Sequence, residues 1–164
     1  MIDIATIRIP IVNGLQEHTG ATTILAEQSS HQPPYPFIGI KFTLTGLPIG
    51  QVTEYQEGLN TVIEQDLEIV LSVTATTEGI ESATNLAYKA LEWFKGKGWL
   101  SLSDSNIHVV RVENMTNRDV FLNIEYERRQ GFDVRLRVRG QSTYISEVIE
   151  EINTQEGYYA TTRR

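Results

Sequence analysis

Two stretches of strict apolar–polar alternation constrain this chain more than any other feature. Over residues 61–76, Leu67, Ile69, Leu71, Val73 and Ala75 fall on one side, with Glu68, Ser72, Thr74 and Thr76 on the other. Over residues 132–139, Phe132, Val134, Leu136 and Val138 alternate with Asp133, Arg135, Arg137 and Arg139. Successive side chains of a strand point to opposite faces, so each stretch reads as a strand with one dry and one wet side. A sheet made of such strands must bury its apolar face under another layer. The best candidate cover is a helix over residues 78–95. Its apolar face comprises Ala83, Leu86, Ala87, Ala90, Leu91 and Phe94, with Thr76 or Thr77 available as a cap. Gly96 and Gly98 are expected to end it, and Trp99 and Leu100 to fold back onto the core.

Shorter segments complete the pattern. Ile4, Ile7, Ile11 and Leu15 form a helical stripe behind Asp3, a candidate N-cap. Pro10 is expected to interrupt or kink this helix, and Gly14 to stop it. Residues 22–26 suit a short strand. The prolines of His31-Gln32-Pro33-Pro34-Tyr35-Pro36 favour an extended, partly polyproline path. In residues 37–45, Ile38, Ile40, Phe42 and Leu44 alternate with Phe37, Gly39, Lys41 and Thr43. Residues 46–60 carry three glycines and one proline and read as a long hairpin arm or loop. Strands are expected at 107–112 and 120–126, with a turn over 114–119 and a break at Gln130-Gly131. Residues 144–152 stay open between helix and strand: Ile145, Val148, Ile149 and Ile152 have helical spacing, but a β-branched composition. The expected fold is a single α+β domain over 1–164, a mostly antiparallel β-sheet with two main helices packed on one face. A polar tail is expected at 153–164.

Length and charge narrow the function. At 164 residues, one domain is the natural unit. Fourteen Lys and Arg against 21 Asp and Glu leave a formal charge of −7. A dedicated nucleic-acid binder normally carries a basic face instead. The absence of cysteine removes disulfides, thiolate metal sites and thiol nucleophiles. No segment approaches the roughly 18 apolar residues of a membrane helix. The first ten residues lack a signal-peptide layout, so the cytosol of the producing cell is the expected address, with no membrane partner.

The vocabulary of catalysis is thin. His18, His31 and His108 are far apart and have no paired ligand spacing. No nucleophile elbow, zinc-protease helix or phosphate loop occurs. Gly96-Lys97-Gly98 follows a helix, so the helix dipole opposes a phosphate there. We therefore expect no catalytic residue, no metal and no cofactor. Arg135, Arg137 and Arg139 share one sheet face; they could read phosphates, or pair with glutamates such as Glu125 and Glu127 across the sheet or a subunit boundary. Glu147, Glu150 and Glu151 make a small acidic run that is either a solvated face or a docking point for a basic partner. Tyr35-Pro36-Phe37 could dock a peptide or pack at the edge of the core.

Several strings, in order, resemble the tail-terminator proteins of bacteriophage necks. They are Pro33-Pro34-Tyr35-Pro36-Phe37 entering a strand, a Glu-rich arm around Glu54-Tyr55, Asn106-Ile107, Asn117-Arg118-Asp119, and Tyr126-Glu127-Arg128-Arg129-Gln130-Gly131-Phe132-Asp133-Val134. The resemblance covers most of the chain, although the polar tail departs from it. It implies an α+β sheet with helices on one side, and a structural virion protein forming a homo-oligomeric ring, usually a hexamer. Such a ring would end the growth of the tail tube and meet the head connector. It implies as partners other copies of the chain, the tail tube protein and head–tail connector proteins, with DNA only as a passing, non-specific contact in the lumen. The location implied is the virion neck, with host cytoplasm during assembly. A head-to-tail interface needs two different complementary surfaces. On that expectation, Pro48, Glu54, Tyr55 and Glu57 of the arm and Arg135, Arg137 and Arg139 are candidate interface residues. Two alternatives stay open: another neck component, such as a head–tail stopper or tube subunit, and a small cytosolic enzyme or ligand-binding domain.

Overall fold

The computed structural model describes residues 2–26, 31–122 and 125–146, the side chains of 125 and 126 excepted. The polar tail, the acidic run and most of the ambiguous stretch at 144–152 lie outside the described residues. Tyr144 and Ile145, which are described, belong to a strand.

The sheet is built from β1 (Thr22–Leu25), β2 (Phe37–Glu57), β3 (Asn60–Thr77), β4 (Ile107–Val112), β5 (Thr116–Asn117), β6 (Val120–Leu122) and β7 (Glu125–Ile145). Its main order is β1-β2-β3-β7-β4, with β5 and β6 also paired to β7. All of these pairs are antiparallel except β1–β2. The fold is thus α+β and mostly antiparallel, with one parallel edge. The alternation read from the sequence sets the register: Leu71 lies opposite Val134, and Val73 opposite Phe132. These residues are buried, together with Ile69, Ala75, Leu136 and Val138. The expected break at Gln130-Gly131 does not occur. Both residues sit inside β7, opposite Ala75 and Thr74. Glycine weakens a strand where a side chain has room, but here it fits a close approach. A Cβ on Gly131 would come within 2.6 Å of the Val73 carbonyl oxygen and 2.8 Å of the Arg118 guanidinium. The single strand expected at 120–126 is divided between β6 and the start of β7.

Among the described residues the two expected main helices, α1 (Ile4–Thr19) and α2 (Ile80–Lys95), cover the apolar face, and a short third helix, α3 (Lys97–Asp104), joins them. The Asp3 carboxylate accepts from the Ala5 amide at 2.9 Å and caps α1. The helix continues through Pro10, because Ile7 on one side of it and Ile11 and Leu15 on the other are all buried. That shared burial outweighs the one backbone bond proline removes. Nor does Gly14 stop the helix. Gly20 does so, in the left-handed region at φ 72°, with its amide on the Gln16 carbonyl.

At α2 the expected threonine cap is absent; Gly79 holds the N-cap position without a side-chain bond. Thr77 lies beneath the helix start, its hydroxyl donating to the Gly79 carbonyl at 2.6 Å. Gly96 ends α2, but α3 begins at the next residue. In that short helix Gly98 and Leu102 face inward, four residues apart, which turns Trp99 and Leu100 out to solvent. The side chain that fills the core here is Trp93. It lies between Gly14 and Gly98: added Cβ atoms on these would reach its ring within 2.2 and 2.4 Å. Trp93 meets Phe94 edge-on at 4.8 Å, and Phe94 meets Phe132 edge-on at 6.1 Å, which ties the helical layer to the sheet.

Candidate assembly surface

Residues 46–60 form a hairpin arm. β2 and β3 pair to their ends, where Glu57 lies opposite Asn60 across Gly58 and Leu59. Gly58 takes φ 64°, the left-handed conformation that a two-residue hairpin turn demands and glycine accepts. β7 adds a third strand, with Tyr144 opposite Thr61 and Ile145 opposite Asn60. About seven rungs of this ribbon lie beyond the Leu67–Val138 pair, a reach of roughly 20 Å at the usual rise per residue.

The arm carries apolar side chains in the open. Leu47, Val52, Tyr55, Leu59, Tyr144 and Ile145 are all exposed, Ile145 at 78%. One of its faces is a polar lattice. Thr61 and Ser146 share a short hydroxyl contact, Gln56 donates to Thr61 at 2.6 Å, and the Tyr144 hydroxyl donates to Glu54 at 3.5 Å. On the other face the Tyr55 hydroxyl donates to Glu64 at 3.1 Å. That bond holds the Tyr55 phenol above its ordinary pKa, with burial and the Glu64 charge adding to it.

The arginine stripe runs along the same outer face of the sheet, opposite the helices. Arg139 donates to Asp66 at 2.9 Å and lies 3.7 Å from Glu64. Arg135 is forked between Glu68 at 2.9 Å and Glu113 at 3.1 Å. The partners are therefore Glu64, Asp66, Glu68 and Glu113; Glu127 pairs with Arg129 instead, and the Glu125 side chain lies outside the described residues. The register explains this: Arg139 lies directly across from Asp66, and Glu68 is the diagonal neighbour of Arg135, which itself faces Val70. The Arg139 bond lowers the Asp66 carboxyl and raises the Arg139 guanidinium, while Glu113 chiefly raises Arg135. Among the described residues Arg137 has no ion-pair partner; with His108 and Asp66 it lines an open groove of about 430 Å³. Of the expected site residues, the fold thus brings Tyr55 and Arg139 together on Glu64. Pro48 stands lower on the arm, opposite Leu67, and Glu57 stands at its tip.

Three polar clusters escaped the sequence reading. Arg118 reaches across β7 to Ser72, Thr74 and Asp133, at 2.5, 3.1 and 2.9 Å. Asp119 accepts from the Arg129 amide at 2.7 Å and from Arg128 at 2.9 Å. Glu127, buried, accepts from Gln32, Tyr35 and Arg129. Tyr35 also stacks on buried Phe37 with ring centres 5.9 Å apart, so this segment packs at the core edge. The spacing of Asn117-Arg118-Asp119 offered no periodic signal, because Arg118 finds Ser72 and Thr74 on β3, more than 40 residues away, and Asp119 finds Arg128 and Arg129 only once β7 is paired. Among the described residues no three His, Asp or Glu side chains gather in a way that could hold a metal ion, and no helix is long and apolar enough to cross a membrane.

Burial works to raise the Asp119 carboxyl, but the Arg129 amide, Arg128 and Asn117 outweigh it and hold it below its ordinary 3.8. A carboxyl depressed by folding adds stability above its unfolded pKa, and that share is lost as pH falls through the folded value. Asp119→Asn is therefore expected to lower stability at neutral pH. It should also flatten the loss of stability below about pH 4 relative to the parent. Denaturant titrations at pH 7 and pH 3 check this; parallel acid limbs would show that Asp119 is not the titrating anchor.

The described residues thus form a helix-backed sheet whose central strands run on into an apolar-tipped arm, with Arg135 and Arg139 of its charged face paired internally. The family model for phage neck terminator proteins matches residues 10–162, and the chain belongs to that family. It is a structural protein of the phage neck, a component of the virion. No curated protein matches the chain significantly.

Proposed function

We propose that this protein forms a homo-oligomeric ring, most simply a hexamer, at the head-proximal end of the tail tube. There it ends tube growth and joins the tail to the head connector. The partners on this reading are further copies of the chain, the tail tube protein and the connector proteins. DNA passes through the lumen without specific contact, which the −7 charge favours because like charges do not adsorb. The observation that carries the reading is the arm: three strands that leave the helical cover and, among the described residues, present exposed apolar side chains. Exposed apolar surface rimmed by polar groups marks a place where another protein sits.

Deleting residues 48–58 tests it. The shortened chain is expected to keep its circular dichroism spectrum and remain folded, since the core lies under the helices. By electron microscopy the parent is expected to form rings that cap purified tail tubes, and the deletion variant none. Capping by the deletion variant would remove the arm from the interface. Long fibres from the parent alone would mark a tube subunit instead.

A further inference from the structure

We infer that neighbouring copies join through the backbone edges of the arm, β7 of one copy pairing in parallel with β2 of the next, with Thr143 set opposite Tyr55. This rests on the ring reading and specifies its contact. The parity of the ladder shows which backbone groups point outward. The Ser146 amide donates to the Leu59 carbonyl of the β3 side, so even-numbered residues of β7 turn their backbone groups toward β3 and odd-numbered ones turn away. Lower on the strand the same parity holds: the carbonyls of Arg129 and Asp133 accept from Arg118 and Glu113 on the side away from β3. β4 covers that side only as far as Val138. Among the described residues no strand covers it at Thr143 and Ile145, so both present an N–H and a C=O at an open edge.

Among the described residues no strand covers the opposite edge of the arm either. β1 pairs with β2 only over Phe37–Ile40. Beyond it, register shifts after Phe42, Leu44 and Ile49, together with Pro48, break the β2 edge. Bulges and proline are the usual guards against edge pairing. From Thr53 to Glu57 the register runs without a shift. Here the parity turns Glu54 and Gln56 outward. Both strands are antiparallel to β3, so they run in the same direction. A rotation about an axis along the arm keeps that direction and brings one open edge to the other.

The heights agree too. Tyr55, Val62 and Thr143 lie on one rung. In a parallel ladder a residue bonds to the two neighbours of the one it faces. Thr143 facing Tyr55 would therefore donate to the Glu54 carbonyl and accept from the Gln56 amide, the two groups left open. Both side chains also lie on the outer face, where exposed Ile145 would cover the neighbour's Tyr55 edge. The two edges differ, so the contact is head-to-tail and closes by rotation.

The chain has no cysteine, which makes cross-linking clean. Adjacent strands place facing Cα atoms about 4.8 Å apart, within disulfide reach. The double variant Tyr55→Cys with Thr143→Cys, oxidised under ring-forming conditions, is expected to give a ladder of linked multimers that stops at the ring number. Each single variant should give none. Thr143→Pro removes only an outward N–H; it is expected to keep the parent's melting curve and to lose rings, while Thr143→Ser keeps them. Parent rings without a ladder, or rings from Thr143→Pro, would overturn the edge pairing and leave the ring reading standing. If the parent forms no rings alone or on tubes, both fall.

Discussion

Replacing Trp93 with alanine is expected to cost about 3–5 kcal/mol, the range for emptying a buried aromatic site. For a chain of this length that is a drop of roughly 6–20 °C in melting temperature. Trp93 is 3% exposed and occupies a slot with Gly14 of α1 on one side and Gly98 of α3 on the other. Neither glycine has a side chain that could swing into the space. The cavity can close only if two helices move, and both are held by their own buried residues, Ile11 and Leu15 in α1 and Leu102 in α3. Thermal and urea unfolding check the figure. A loss below about 1 kcal/mol would mean that the helices slide together and the slot is not a rigid fit.

The second large effect is expected from the smallest change, Gly131→Ala. The added methyl would meet the Val73 carbonyl oxygen at 2.6 Å, the Arg118 guanidinium at 2.8 Å and the Thr74 hydroxyl at 2.9 Å. Side chains can turn aside, but a carbonyl in the middle of a paired strand cannot. Overpacking of this kind typically costs 1–3 kcal/mol, and we expect about 3. Combining it with Arg118→Ala separates the two obstacles. The pair should recover only the part due to the guanidinium, so a double variant as stable as Arg118→Ala alone would show that the backbone contact is harmless.

The fold was legible where burial imposes a period. The alternation of Leu67 to Ala75 and of Phe132 to Val138 fixes strands, faces and, through them, the β3–β7 register. The apolar stripe from Ala83 to Phe94 gives the covering helix. Several of the readings that failed concern glycine and proline. Taken locally, Gly14, Pro10 and Gly131 signal stops or breaks; in the fold the glycines meet residues from elsewhere in the chain, Trp93 against Gly14 and Val73 against Gly131, and Pro10 sits in a helix whose Ile7, Ile11 and Leu15 are buried. Of the candidate surface, the arm's existence and the shared face of the arginines could be read. Their partners could not, because Glu64, Asp66 and Glu68 become neighbours of β7 only once the register is set. The stretch holding the exposed Tyr144 and Ile145 stayed open between helix and strand because nothing local distinguishes a strand extending past its domain from the beginning of a helix.

The continuity of β3 and β7 from the helix-covered core into the arm has a mechanical consequence. Their ladder runs without a register shift from Thr77–Arg128 to Asn60–Ile145. A pull on the arm tip along its axis therefore loads this whole row of backbone bonds in shear, all at once, rather than peeling them one by one. The shifted β2 ladder cannot share that load evenly. Tension should travel down the two straight strands into the Phe132 layer, leaving the tip stiff lengthwise and compliant sideways.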